Sequence, residues 1–154
     1  MSRIATIFEP MPSSRYNGAE GEEEFLVHCL RKELNVRLSL SPYSNCDFRI
    51  SGKRIDVKTI SNDYGPSLDF NVNVPSCQVS LEQDLFAFVF HDRFKGTFTI
   101  AGAIDRDTLL KRARLMRKGE TERNGCFQYK CDTYVMKVEE LLPLESLVGA
   151  KISE

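Results

Sequence analysis

The sequence predicts an α/β (α+β) fold in which a central mixed β-sheet is flanked by helices. Three observations predict it. Apolar residues recur at helical spacing between Phe25 and Leu34. From Val36 to Ile104 the pattern changes to period-two alternation and short β-rich apolar runs. A second capped helical stretch follows, with more strand-like sequence behind it. At 154 residues the chain has the length of one domain, 1–154. No repeat, low-complexity tract or internal linker divides it.

Residues 1–16 carry two Pro and three Ser and predict an irregular lead-in. Asn17 offers a helix N-cap, with Glu20 three residues on in the capping-box position. Phe25, Leu26, Val27, Cys29, Leu30 and Leu34 then form one broad apolar stripe, and Asn35 offers a stop. Val36, Leu38 and Leu40 alternate with polar residues and predict a first strand. Asp47 to Ile50 and Lys53 to Ile60 predict two more, joined at Ser51-Gly52. Leu68 to Val74 alternates again, and Asp84 to His91 and Thr97 to Ile104 read as further strands. A second helix is expected from about Asp105 to Lys118, capped by Asp105 and stopped by Gly119. Phe127 to Val138 predicts a final hairpin or strand pair. Glu139 to Val148 predicts short helical turns interrupted by Pro143.

Composition narrows the function classes. The longest apolar run, Leu85 to Phe90, is six residues and cannot span a bilayer as a helix. Met1-Ser2-Arg3-Ile4 leads into no apolar segment of signal-peptide length, so an intracellular, cytoplasmic location without a membrane partner is expected. Five Cys with no C-x-x-C pair point to reduced thiols rather than a disulfide framework. Lys plus Arg is 21 and Asp plus Glu is 22, a net charge of −1, so any affinity for nucleic acid must come from local clusters.

The informative segment runs from Cys46 to Lys58. With Ser51-Gly52 as a two-residue turn, Ile50 faces Lys53, Arg49 faces Arg54, Phe48 faces Ile55, and Asp47 faces Asp56. Phe48, Ile50, Ile55 and Val57 then share a face that can pack under a helix, while Asp47, Arg49, Arg54, Asp56 and Lys58 share the other. Two carboxylates directly opposite one another stand roughly 4.5–5.5 Å apart at Cβ and destabilise a sheet. A divalent cation between them reverses the sign, and oxygen ligands at that separation suit Mg²⁺ or Mn²⁺. The alternative is an amphipathic hairpin with a solvated polar face, on which Arg49 and Arg54 neutralise the acids.

An acid opening one strand, a tight turn, and acid-x-Lys on the next strand resemble the signature of the PD-(D/E)XK nuclease superfamily, whose members share the restriction-endonuclease-like fold. Asp47, Asp56 and Lys58 carry the likeness, with Cys46 where the pattern usually has Pro. The family also places a Glu on the helix before the sheet, followed by apolar residues three and seven positions later. Glu23 with Leu26 and Leu30 fits this, and its ridge continues regularly through Val27 and Leu34. Glu22 with Phe25 and Cys29 is the alternative. Some members carry a Gln after the acid-x-Lys strand, and Gln78 is the equivalent here. The likeness spans roughly residues 17–104.

This resemblance implies a metal-dependent nuclease that hydrolyses phosphodiester bonds, of DNA in the first instance. It implies Mg²⁺ (or Mn²⁺) held by Asp47 and Asp56, with Glu23 acting directly or through water and the main-chain carbonyl of Val57 as a further ligand. Lys58 would orient the attacking water, and Gln78 would position water or substrate. A homodimer is compatible, because many nucleases of this fold cut two strands as dimers. Independently, Lys111, Arg112, Arg114, Arg117 and Lys118 crowd the second helix with no acid among residues 111–118. They suit a phosphate-backbone clamp or, equally, a solvated helix end. Two other classes stay open: a catalytically silent nucleic-acid- or protein-binding module on the same fold, and a partner-binding α/β protein whose hairpin acids are incidental. His28 and His91 read as surface histidines. Cys126 and Cys131 are too few for a structural zinc site.

Overall fold

The computed structural model describes residues 13–38, 46–62, 67–122 and 127–149. Helix α1 spans Ser13–Arg31 and strand β1 Val36–Leu38. β2 (Phe48–Ile50), β3 (Lys53–Asn62) and β4 (Asn71–Pro75) follow, with a 3-10 turn at Ser76–Gln78. Then come β5 (Leu85–Asp92), β6 (Thr97–Asp105), α2 (Arg106–Arg112), β7 (Arg114–Met116) and β8 (Thr133–Lys137). A 3-10 turn at Val138–Glu140 and helix α3 (Leu144–Val148) follow β8. Among the described residues no helix is long and apolar enough to cross a membrane.

Five strands form one sheet in the order β1-β2-β3-β5-β6. β3 and β5 run parallel and the other neighbours antiparallel, so the sheet is mixed as expected. Strand alternation divides its side chains. Ile55, Val57, Leu85, Ala87 and Val89 pack with Phe25 and Cys29 of α1 and with Leu144 and Val148 of α3. Phe86, Phe88 and Phe90 point the other way, against Val72, Val74 and Met136. Those three belong to a second sheet, β4-β8-β7. The central sheet is therefore flanked by α1 and α3 on one face and, on the other, by a second sheet together with Leu109 of α2. Every residue of β5 from Leu85 to Phe90 is buried, which explains its unbroken apolar run.

Several boundaries differ from the sequence reading. α1 begins at Ser13, inside the expected lead-in, so Asn17 is an interior helical residue and not a cap. The helix ends at Arg31, and Glu33 takes a left-handed φ of 57°. The Leu34 amide then donates to the Cys29 carbonyl at 2.9 Å, and Leu34 drops back into the core. The second helix is the largest correction. Asp105 does cap it, accepting from the Thr108 amide at 3.0 Å, but the helix stops at Arg112. Arg114–Met116 instead pairs with β8, because a sheet partner satisfies its backbone where a lone exposed helix would gain little. Phe127 to Val138 is likewise not a self-contained hairpin. It supplies the single strand β8, which lies between β4 and β7. Pro143 separates a 3-10 turn from α3, as expected. Leu40 and Cys126 lie outside the described residues.

Candidate functional site

The chain reverses at Ser51-Gly52 with φ of 51° and 81°, the double positive φ of a type I′ turn. Ile50 pairs with Lys53, Arg49 with Arg54 and Phe48 with Ile55, the register expected from counting outward. Asp47 stands one residue outside this ladder. Its amide donates to the Ile55 carbonyl at 2.8 Å, and its Oδ2 accepts from the Val57 amide at 2.7 Å. That second bond aims the Asp47 carboxyl at β3, where the carboxyl of Asp56 lies within hydrogen-bonding reach of it.

Asp56 shares its strand face with Lys58, and the Lys58 ammonium lies 3.1 Å from Asp56 Oδ2. The same ammonium donates to Gln78 Oε1, so the 3-10 turn after β4 closes over β3. Burial pushes the Asp56 carboxyl up to about 6; Lys58 opposes the shift and Asp47 adds to it. Burial likewise pushes Asp47 up to about 6, with the charge of Glu22 adding and the Val57 amide, Asp56 and Lys58 opposing. Glu22 is also raised, by burial first and by the charge of Asp56, against a contact with Asp47 that lowers it. Three carboxyl groups thus lie in one another's field, partly desolvated, with the Lys58 ammonium paired to Asp56. A proton shared within the Asp47–Asp56 pair relieves the repulsion once the pH falls to about 6.

The helix acid that meets this pair is Glu22, where the ridge argument favoured Glu23. The reason lies in which ridge is buried. Phe25 and Cys29 pack into the core at 0% exposure, whereas Leu30 on the other ridge is 60% exposed. Gly21 sets the depth of approach. A Cβ built on it would fall 1.9 Å from Thr59 Oγ1, so only glycine lets α1 settle this close to β3. Sequence reasoning passed over Gly21, although a glycine inside a helical pattern is itself a signal of close packing.

Gln83 was also missed. It is fully buried, and its Nε2 donates to the Gln78 carbonyl at 2.6 Å and to Asp56 Oδ2 at 3.4 Å. Its Oε1 accepts from the Ser80 amide at 2.7 Å. One amide therefore ties Asp56 to the turn that presents Gln78. Gln83→Leu would leave the Gln78 carbonyl, the Ser80 amide and the buried Asp56 carboxyl without this partner, and should cost about 1–3 kcal/mol, read from urea denaturation.

The arginines of the hairpin do not neutralise the acids in the way the alternative reading required. Arg54 turns to Asp84, with Nε at 3.1 Å from Oδ2 and Nη2 at 3.3 Å from Oδ1, and Arg49 is exposed. The basic run does not form one helical face. Lys111 and Arg112 end α2, Arg114 opens β7, and Arg117 and Lys118 lie beyond it. Arg117 pairs with Asp132 at 3.2 Å. Neither histidine is a bare surface residue. His28 Nε2 lies 3.2 Å from Glu145 Oε1. His91 stacks on Phe98 with centroids 4.5 Å apart, its Nδ1 3.3 Å from Ser61 Oγ.

The donors around Asp47 and Asp56 are hard carboxyl oxygens, the chemistry that Mg²⁺ and Mn²⁺ accept. Two neighbouring carboxyls whose pKa values rise chiefly through burial are a pair whose charged forms a divalent cation would favour. Among the described residues, no three His, Cys, Asp or Glu side chains are gathered as a group able to hold a metal ion. Any cation here would draw its remaining ligands from water, main chain or substrate. Compared with known proteins, the chain matches no family model, no curated protein and no solved structure.

Proposed function

We propose that this protein is a metal-dependent nuclease of the PD-(D/E)XK type that hydrolyses phosphodiester bonds, with DNA as the expected substrate. One observation carries the reading: Asp47 and Asp56 are held carboxyl to carboxyl beside the ammonium of Lys58. Like charges are seldom buried together without a task, and a phosphodiester needs both counter-charge and an oriented water. Asp47 and Asp56 would hold Mg²⁺ or Mn²⁺, with Glu22 reaching it through water and the Val57 carbonyl as a further oxygen. When bound there, the cation supplies Lewis acidity toward water and counter-charge for the phosphate.

The chain's own residues do the rest. The Val57 amide fixes the rotamer of Asp47. Gln78 and Asp56 hold the Lys58 ammonium between them, where it can donate to an attacking water or to charge gathering on phosphate oxygens. Gln83 keeps Asp56 and the Gln78 turn in register. The test incubates the full chain with plasmid and single-stranded DNA in Mg²⁺, Mn²⁺ or EDTA. Degradation should require the cation. It should fall at least tenfold in Glu22→Gln and stay near wild type in Glu23→Gln. Degradation that persists in EDTA, or that ignores Glu22, would overturn the assignment.

A second reading, a binding module without hydrolysis, is favoured by the absence of a three-ligand metal group among the described residues. It predicts DNA binding that is unchanged by EDTA and no degradation in any cation.

A further inference from the structure

The geometry points to a nucleobase-stacking contact at the tip of the β5–β6 hairpin, made by Phe94 with the Lys95 ammonium beside it. The tip is the turn Arg93-Phe94-Lys95-Gly96, exposed throughout. Phe94 is 85% exposed, more than any other large apolar side chain among the described residues. Burial in the core does not account for an aromatic ring held out in water, and the turn does not need one.

The turn is built to hold the backbone that carries that ring. Asp92 is buried, and its Oδ1 accepts from the amides of both Phe94 and Lys95 at 3.0 Å. The Gly96 amide donates to the Asp92 carbonyl at 2.7 Å, and Gly96 takes the φ of +69° that closes the turn. The Arg93 amide donates to the Asn62 carbonyl at 2.8 Å and fastens the tip to the end of β3. Below it, His91 stacks on Phe98. A tip so anchored loses little conformational freedom when something lands on it.

Chemistry selects the partner. Asp92 spends its carboxylate on the turn's own amides, which leaves Lys95 beside the ring with no acid among residues 93–96. A single ring beside one lysine is too small an apolar area for a stable protein interface, which buries roughly 800 Å² per partner. It is enough for one base, which needs one ring face for stacking and one cation for the neighbouring phosphate. The tip is also placed for the proposed substrate. Asn62 pairs with Asp92 and lies six residues beyond Asp56 on β3. That is roughly 20 Å at the rise of a strand, or about six stacked bases at 3.4 Å each. A strand whose phosphodiester sits at Asp47 and Asp56 would present a base to Phe94 a few nucleotides away.

Only the placement of the substrate rests on the nuclease reading, so the test reads binding and not cleavage. Fluorescence anisotropy of a labelled single-stranded 20-mer, in EDTA, compares wild type with Phe94→Ala, Phe94→Tyr and Lys95→Gln. Phe94→Ala should weaken binding by about tenfold, the scale of one lost base–aromatic stack. Phe94→Tyr should bind like wild type, because the ring face is retained. Lys95→Gln should make affinity less steeply dependent on salt, by roughly one released counterion. Circular dichroism melts should be unchanged for all three, since the side chains are exposed. Equal affinity in Phe94→Ala and wild type, or no oligonucleotide binding by wild type, would overturn the proposal. So would Phe94-dependent sedimentation with phosphatidylserine vesicles and none with the oligonucleotide, which would identify a lipid surface. Oligonucleotide binding that depends on Phe94 in a protein that cleaves nothing would uphold the contact while rejecting the nuclease.

Discussion

Asp56→Asn is expected to abolish metal-dependent cleavage and, at neutral pH, to make the protein more stable. The two effects share one cause. In the folded chain the Asp56 carboxyl is pushed up to about 6 from its ordinary 3.8. Between about pH 4 and pH 6 the folded state therefore binds the proton that the unfolded state releases. Stability contributed by this group is present at low pH, falls as pH rises through that window and stays lost above it. Two units correspond to on the order of 2–3 kcal/mol at pH 7. Asparagine removes the buried charge, so the melting temperature in EDTA should rise by several degrees at pH 7.5 and hardly at all at pH 4.

Lys58→Ala gives the opposite sign. It strips Asp56 of its counter-charge and should lower stability, while cleavage falls by a factor on the order of 10²–10³, as for other groups aimed at developing charge. Saturating Mg²⁺ should raise the melting temperature of wild type and leave that of Asp56→Asn unmoved. A lower melting temperature for Asp56→Asn at pH 7.5 would show that burial does not make the Asp56 charge costly in the folded chain.

Gly21→Ala should destabilise the protein, although alanine in place of glycine within a helix ordinarily gains about 1 kcal/mol. The new methyl would fall 1.9 Å from Thr59 Oγ1 and 2.9 Å from the Thr59 Cβ and Cγ2. A β-branched side chain on a packed strand has few rotamers to offer, so α1 must back away from β3. Overpacking of this kind costs about 1–3 kcal/mol. The functional effect should exceed the structural one, because backing α1 away withdraws Glu22 from Asp47. Thr59→Ala removes the closest atom and Cγ2 and leaves only the 2.9 Å contact, so the double variant should recover much of the lost stability and cleavage. Urea denaturation of the four proteins gives the coupling energy, expected to be at least about 1 kcal/mol. A Gly21→Ala protein more stable than wild type would mean that helix and strand are not in such close contact.

The hairpin was legible in the sequence because everything that determines it is local. Ser51-Gly52 permits a turn with positive φ at both positions, and a period of two carries the register outward to Phe48 and Ile55 without help from distant residues. The acid-x-Lys spacing of Asp56 and Lys58 puts both on one face of any strand, and Lys58 Nζ does lie 3.1 Å from Asp56 Oδ2. The second helix was misread for the same reason in reverse. Leu115 and Met116 suit a helix by propensity, but β8 offers their backbone a ladder, and β8 is separated from them by a loop that no local pattern describes.

Amino-acid order alone therefore determined the turn, the face shared by Asp56 and Lys58, and the buried run of β5. Each depends on residues only a few positions apart. Tertiary structure decided which glutamate meets the acids, that Arg54 pairs with Asp84 rather than with them, and that Gln83 braces Asp56. Those choices turn on which side of α1 is buried and how closely α1, β3 and the segment before β5 approach one another. Distances of that kind arise only when segments far apart in the chain pack together.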